Sequence, residues 1–376
     1  MVRLDDLPTP SLVVDDDRMT RNIERMRRRV AGLGAAFRPH VKTCKSLDIA
    51  RRLMPTPRGP ITVSTLQEAE QFFAHGVTEI LYAVGLEPGK LPRVADLRAR
   101  GCGLTVILDG LEAAEAVSAY CRAHRLEIPV LVEIDADDHR AGVKPESGLL
   151  LEVAAALTSG ARCRGVMAHA GGSYECRTTG AIAEMAERER ASVVRAAERL
   201  RAAGHDASVV SVGSTPTATF ARDLTGVTEV RAGVFVFQDL VMAGLGVCAV
   251  DDVALSVLVS VIGHQREKGW IVTDGGWMAI SRDRGTAGQA VDQGYGLVRD
   301  LDGAPLDGFV MHGANQEHGL VSRRDGGPIE WERFRLGARL RIVPNHACAT
   351  AAQHAAYHAV NGSRDVLARW ERFGGW

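Results

Sequence analysis

Apolar positions follow two rhythms along the chain. From residue 10 to about 240, short apolar runs alternate with longer amphipathic stretches. The runs read SLVVD, AFRPHVKT, ITVST, EILYAV, LTVILD, PVLVEI, RGVMAHAG, SVVSVGST and EVRAGVFV. Between the first two, Met19, Ile23, Met26 and Val30 recur at helical spacing behind aspartates suited to capping. Repeated strand and helix units of this kind predict a parallel sheet, and their number fits a (β/α)8 barrel of the TIM type. SLVVD is then a ninth strand outside the count. After about residue 245 the helical period fades, and VALSVLVSVIG, GWIVTDGG, GYGLVRD, GFVMHG and ARLRIVPN succeed one another between Gly and Asp. That pattern predicts antiparallel β structure. The expected organisation is a barrel over 10–245 and a β domain over 246–376, with residues 1–15 packing with the latter.

Charge changes this picture little. The 376 residues include 45 basic and 46 acidic ones, so neither a nucleic acid nor a charged membrane surface is implied as partner. Seven cysteines at scattered positions form no CxxC pair, which suits a reducing cytoplasm. No window holds the roughly 20 apolar residues that cross a bilayer.

Chemistry concentrates at the strand ends, where barrels of this type carry their reactive groups. Lys42 lies in RPHVKT with Arg38 and His40, and a lysine amine there can condense with a carbonyl compound. A surface lysine is the plain alternative, and Lys45 is the competitor. GSTPT places Gly213, Ser214, Thr215 and Thr217 between a strand and a helix, which suits a phosphate or an ordinary turn. VPNHACAT sets His346 and Cys348 one residue apart. On an extended strand both would face one point and offer soft donors to a metal with open positions. A core histidine beside a buried thiol is the alternative. The acidic run Asp135, Asp137 and Asp138 reads as a solvated turn.

RPHVKT, ITVSTLQEAEQFF, LYAV, VGSTPT, EVRAGVFVFQDL, DRGT, GANQEHG and PNHACAT, in this order, resemble the D-serine dehydratase-like enzymes of the alanine racemase-type fold (fold type III of the pyridoxal phosphate enzymes). The resemblance spans essentially the whole chain. It implies pyridoxal 5'-phosphate on Lys42, with Arg140 and Tyr174 around its ring and Gly213, Ser214, Thr215, Gly233 and Val234 around its phosphate. It makes His346 and Cys348 ligands of a catalytic divalent metal. Thiolate with imidazole suits zinc best, with manganese or magnesium as alternatives. The implied reaction eliminates water from D-3-hydroxy amino acids, taking D-threo-3-hydroxyaspartate to oxaloacetate and ammonia and D-serine to pyruvate. Arg282, Arg284 and His318 are candidates for holding the substrate. A D-threonine aldolase is the nearest rival, although the aldolases carry His-x-Asp where this chain has His-x-Cys. An amino-acid racemase would need a second acid/base such as Tyr295, and a noncatalytic cofactor carrier would need neither the β domain nor the metal pair. A homodimer is expected by analogy with the fold.

Overall fold

The computed structural model describes residues 2–376. The chain divides into two compact units, one comprising Arg25–Gly233 with Gly375–Trp376 and the other joining the stretch that ends at Glu24 to Val234–Gly374.

In the second of these, β1 (Ser11–Asp15) is SLVVD, the strand set apart by sequence. It is wholly buried and ends in Asp15, whose carboxylate accepts the Arg18 N–H and caps the helix Asp16–Gly32. Met19, Ile23, Met26 and Val30 all turn inward along that helix, at 5% exposure or less.

The other unit holds eight parallel strands: β2 (Ala36–Pro39), β3 (Ile61–Val63), β4 (Glu79–Gly85), β5 (Gly103–Leu108), β6 (Ile128–Ile134), β7 (Ala161–Ala168), β8 (Val209–Val212) and β9 (Glu229–Ala232). Their order, β2-β9-β8-β7-β6-β5-β4-β3, runs as a sheet whose two edge strands meet. Closure rests on a single parallel bridge, His40 to Thr62, with the Val41 N–H donating to the Thr62 carbonyl. Apolar runs such as IPVLVEI suit strands covered on both faces. Inside, Leu81, Ile107, Leu131 and Met167 pack together from four neighbouring strands. Outside lies the helix Thr179–Ala202, whose N-terminus is capped by Thr178 and whose buried stripe includes Ile182, Ala186, Val193 and Leu200. Glu189 lies in the same stripe, and its carboxylate is claimed by the barrel below.

The remaining strands are antiparallel apart from one pairing. These are β10 (Leu255–Gln265), β11 (Trp270–Thr273), β12 (Gly296–Asp300), β13 (Pro305–Ala314), β14 (Gly319–Arg323), β15 (Arg339–Pro344), β16 (Ala356–Val360) and β17 (Ala368–Glu371). Pairing in the order β11-β14-β13-β12-β15-β10, with β10 also on β11, closes six of them into a ring. β1 continues the sheet from β10 and runs parallel to β16. Among the described residues no helix is long and apolar enough to cross a membrane.

Candidate active site

At the C-terminal strand ends of the barrel, Lys42 is exposed in the turn that follows β2. Lys45 is taken by Glu68 at 3.0 Å, which leaves Lys42 as the available amine of the pair. Arg231, in β9, is 3% exposed and donates to Ser211 Oγ at 2.9 Å and to the Ala168 carbonyl. The carboxylates of Glu229, Glu189 and Glu133 balance its charge. One oxygen of Glu189 accepts the N–H groups of Ala170 and Gly213, each at 3.0 Å, and so ties the end of β7 to the end of β8.

Gly213 is required by its backbone. Its φ is +147°, and a Cβ there would come within 1.8 Å of the Arg231 carbonyl oxygen. Ser214 caps the short helix Thr215–Phe220, accepting the Thr217 N–H on its hydroxyl while its own N–H donates to Thr217 Oγ1. The N–H of Gly213 is thus committed to Glu189 and the cap groups of Ser214 to Thr217, and these residues shape the cup. A Cβ at Gly233 would lie 2.9 Å from the His40 carbonyl oxygen, so this side is also held open by a missing side chain.

Two imidazoles complete the group. His169 Nδ1 donates to the Gly213 carbonyl at 2.8 Å. Burial, aided by the positive charges of Lys42, Arg231 and Arg140, lowers His169 to about 3 despite that bond. Burial beside Lys42 and Arg231 also holds His40 well below the usual histidine range. Both rings are neutral near pH 7, so the positive charge comes from lysine and arginine. Arg140 is paired with Glu133 at 3.3 Å, and Tyr174 ends the turn Gly171–Tyr174 with its ring 6.4 Å from that of His169. The acidic run is a turn, as the sequence suggested: Asp135 accepts the N–H groups of Asp137 and Asp138, and Asp137 accepts that of Gly172. A reactive amine, nearby arginines and a glycine-opened turn form a donor set that fits an anionic aldehyde such as pyridoxal phosphate.

In the other unit, the structure corrects the expectation of an extended strand through VPNHACAT. β15 stops at Pro344, His346 is the N-cap residue of the helix Ala347–Ala351, and Cys348 lies in that helix's first turn. The break follows from Asn345, which is buried and donates through Nδ2 to the Gly294 carbonyl at 2.6 Å while accepting from Thr286 Oγ1 at 2.8 Å. His346 and Cys348 still meet. Burial opposes charge on His346, but hydrogen bonds with Asp283 and Cys348 outweigh it and push the imidazole up to about 11. Asp283 Oδ2 lies 2.6 Å from His346 Nδ1. Buried Asp239 receives the Ala347 N–H at 3.0 Å and that of Met242 at 2.9 Å. Among the described residues no cluster of three or more His, Cys, Asp or Glu side chains could close around a metal. A nitrogen and a sulfur donor alone suit an ion that keeps open positions.

The proposed substrate arginines flank Asp283. Arg282 is exposed with its guanidinium 4.9 Å from the Trp277 ring centroid, whereas Arg284 pairs with Asp292 at 2.6 Å and covers Tyr295. His318 is exposed in a turn whose Asn315 carbonyl accepts the Trp277 N–H.

Residues 14–240 match the family model described as alanine racemase, N-terminal domain, and residues 254–360 match the putative serine dehydratase domain. A D-threo-3-hydroxyaspartate dehydratase from Delftia sp. (strain HT23) is 55% identical over 374 residues, 98% of each chain. The chain belongs to the D-serine dehydratase-like family. This family has the alanine racemase-type fold and is pyridoxal phosphate-dependent, and its member here is a lyase. A solved structure of D-threo-3-hydroxyaspartate dehydratase, a cysteine-to-alanine variant in a metal-free form, matches at TM-score 0.97 and 54% identity over 100% of both chains. A 3-hydroxy-D-aspartate aldolase of Paracoccus denitrificans (strain Pd 1222) is 27% identical over 375 residues, 96% of this chain and 90% of the aldolase.

Sequence reasoning about this family member missed Glu189, Arg231, Asp239 and Asp283. Arg231 and Asp239 lie within EVRAGVFVFQD and Asp283 within DRGT, so the segments were visible but the roles were not. Glu189 had a signal of its own, an acid at an apolar position of the helix Thr179–Ala202.

Proposed function

We propose that this chain dehydrates D-3-hydroxy amino acids, with D-threo-3-hydroxyaspartate converted to oxaloacetate and ammonia and D-serine to pyruvate as a slower reaction. The observation that carries the reading is the pairing of His346 with Cys348 beside Asp283, a soft two-donor motif of the kind needed to make a β-hydroxyl leave. When bound, pyridoxal phosphate supplies an electron sink for the Cα carbanion, and a divalent ion supplies Lewis-acid polarisation of the hydroxyl.

The chain's own groups do the rest. Lys42 holds the cofactor and then, as a free amine, takes the Cα proton on Nζ. Arg140 and Tyr174 flank the ring, and the turn from Gly213 to Thr215 with Gly233 and Val234 receives the phosphate. His346 and Cys348 hold the ion, which we assign as zinc from its preference for thiolate and imidazole. Arg282 is the better candidate for the second carboxylate of hydroxyaspartate, because Arg284 is already paired with Asp292. His318 is assigned to the rim of the substrate site. All seven cysteines are free thiols, which supports a cytoplasmic setting, and the fold supports a homodimer, checked by sedimentation.

The test is product analysis on loaded enzyme. D-threo-3-hydroxyaspartate should release ammonia and oxaloacetate, faster than D-serine releases pyruvate, while the L isomers stay unreacted. The aldolase likeness makes retro-aldol cleavage the second reading. Glycine and glyoxylate without ammonia would establish it and overturn dehydration.

A further inference from the structure

We propose that Asp283 is the positioning residue of the metal motif, fixing the His346 ring so that Nδ1 carries its proton toward the carboxylate and Nε2 is the nitrogen that ligates the ion. The inference rests on the proposed metal role of His346 and Cys348.

A neutral imidazole has one donor and one acceptor nitrogen, and the partner of one nitrogen decides the role of the other. Here that partner is a carboxylate oxygen 2.6 Å from Nδ1. The carboxylate is itself aimed. Its other oxygen accepts the Gly285 N–H at 2.8 Å, and the Asp283 N–H donates to Ser281 Oγ at 3.0 Å. With both oxygens engaged, Asp283 is poised to orient a ligand and not to serve as a third one.

The loop that carries it is clamped to the turn that carries His346. Asn345 Nδ2 donates to the Asp283 carbonyl at 3.3 Å, and Thr286 Oγ1 donates to Asn345 Oδ1 at 2.8 Å. The far side of the same turn is held by Asp239 through the Ala347 N–H. Ring orientation, loop and helix start are therefore determined by three separate anchors, and of the three Asp283 is the one bonded to the His346 ring.

The pair is a poor candidate for a stabilising device. The side chains of His346 and Asp283 are 42% and 33% exposed, and ion pairs this open to water contribute little to folding. Carboxylates behind metal-bound histidines, by contrast, typically change metal affinity by about 10–100-fold.

The test compares wild type, Asp283→Asn, Asp283→Glu and His346→Ala by zinc binding in competition with a chromophoric chelator, and by the thiolate-to-cobalt absorption band after cobalt loading. We expect wild type to bind one ion and His346→Ala to lose it. Asp283→Asn should bind zinc about 10–100-fold more weakly, with the cobalt band still reached at saturation and the melting temperature of the metal-free protein unchanged. Asp283→Glu should recover part of the affinity. Wild-type affinity in Asp283→Asn, with His346→Ala unable to bind, would overturn the positioning role alone. An affinity loss accompanied by a lower melting temperature of the metal-free protein would mark Asp283 as merely structural and also overturn it. Unaltered zinc binding by His346→Ala would instead remove the metal reading beneath it.

Discussion

The barrel mouth and the histidine–cysteine turn hold their reactive groups in opposite ways. Around Lys42 the supporting charges are buried, with Arg231 at 3% and Glu189 at 1% exposure, and each is satisfied by partners from several strands. At the proposed metal motif the supporting hydrogen bond between His346 and Asp283 is short but open to water. Buried charges are costly to leave unpaired, whereas exposed pairs are cheap to break. The lesson is that perturbing the first region should disturb folding and chemistry together, while perturbing the second should disturb chemistry alone.

The largest expected effect tests which lysine anchors the barrel's chemistry. Lys42→Ala should abolish turnover and the long-wavelength absorbance of the purified protein, whereas Lys45→Ala should keep the absorbance because its amine is engaged with Glu68. The reverse result would move the cofactor to Lys45.

A paired measurement breaks or sharpens the contrast itself. Arg231→Met should cost about 3–5 kcal/mol in urea denaturation, since it removes the buried cation that offsets Glu229, Glu189 and Glu133 and deprives Ser211 Oγ and the Ala168 carbonyl of their donor. Cys348→Ala, or treatment with a chelator, should stop turnover while leaving both the absorbance and the denaturation midpoint near wild type. Unfolding on metal removal would make the site structural and erase the contrast.

The smallest effect is one of pH. His169 titrates near 3 when folded against about 6.5 in an unfolded chain. The unfolded state therefore takes up the proton first as pH falls. The stability tied to a neutral His169 is complete above pH 6.5 and is lost progressively toward pH 3. The melting temperature should fall over this window, and His169→Asn should flatten the slope. An unchanged slope would mean that other groups govern it.

Much of this was legible along the chain because it depended on local periodicity. The eight barrel runs, the separate strand SLVVD and the helix of Met19, Ile23, Met26 and Val30 announce themselves through spacing. The turn at His346 did not, because its bend depends on Asn345 meeting Thr286 and Gly294, more than 50 residues earlier in sequence. Asp283 was hidden between two arginines in what reads as a charged loop. Arg231 and Glu189 were hidden differently, as charges in apolar company whose partners come from strands and helices that no sequence window contains.

The closing bridge between His40 and Thr62 has a mechanical consequence. Other neighbouring barrel strands share ladders of two or more paired residues, but the backbones of the β2 and β3 segments are bridged once, at His40 and Thr62, and Lys42 lies two residues beyond that bridge. Segments with few such bridges open at lower cost than the ladders around them. The amine proposed to hold the cofactor and then to take a proton is thus mounted beside the barrel's least-laddered joint, while the turn at Gly213 is anchored by buried charge.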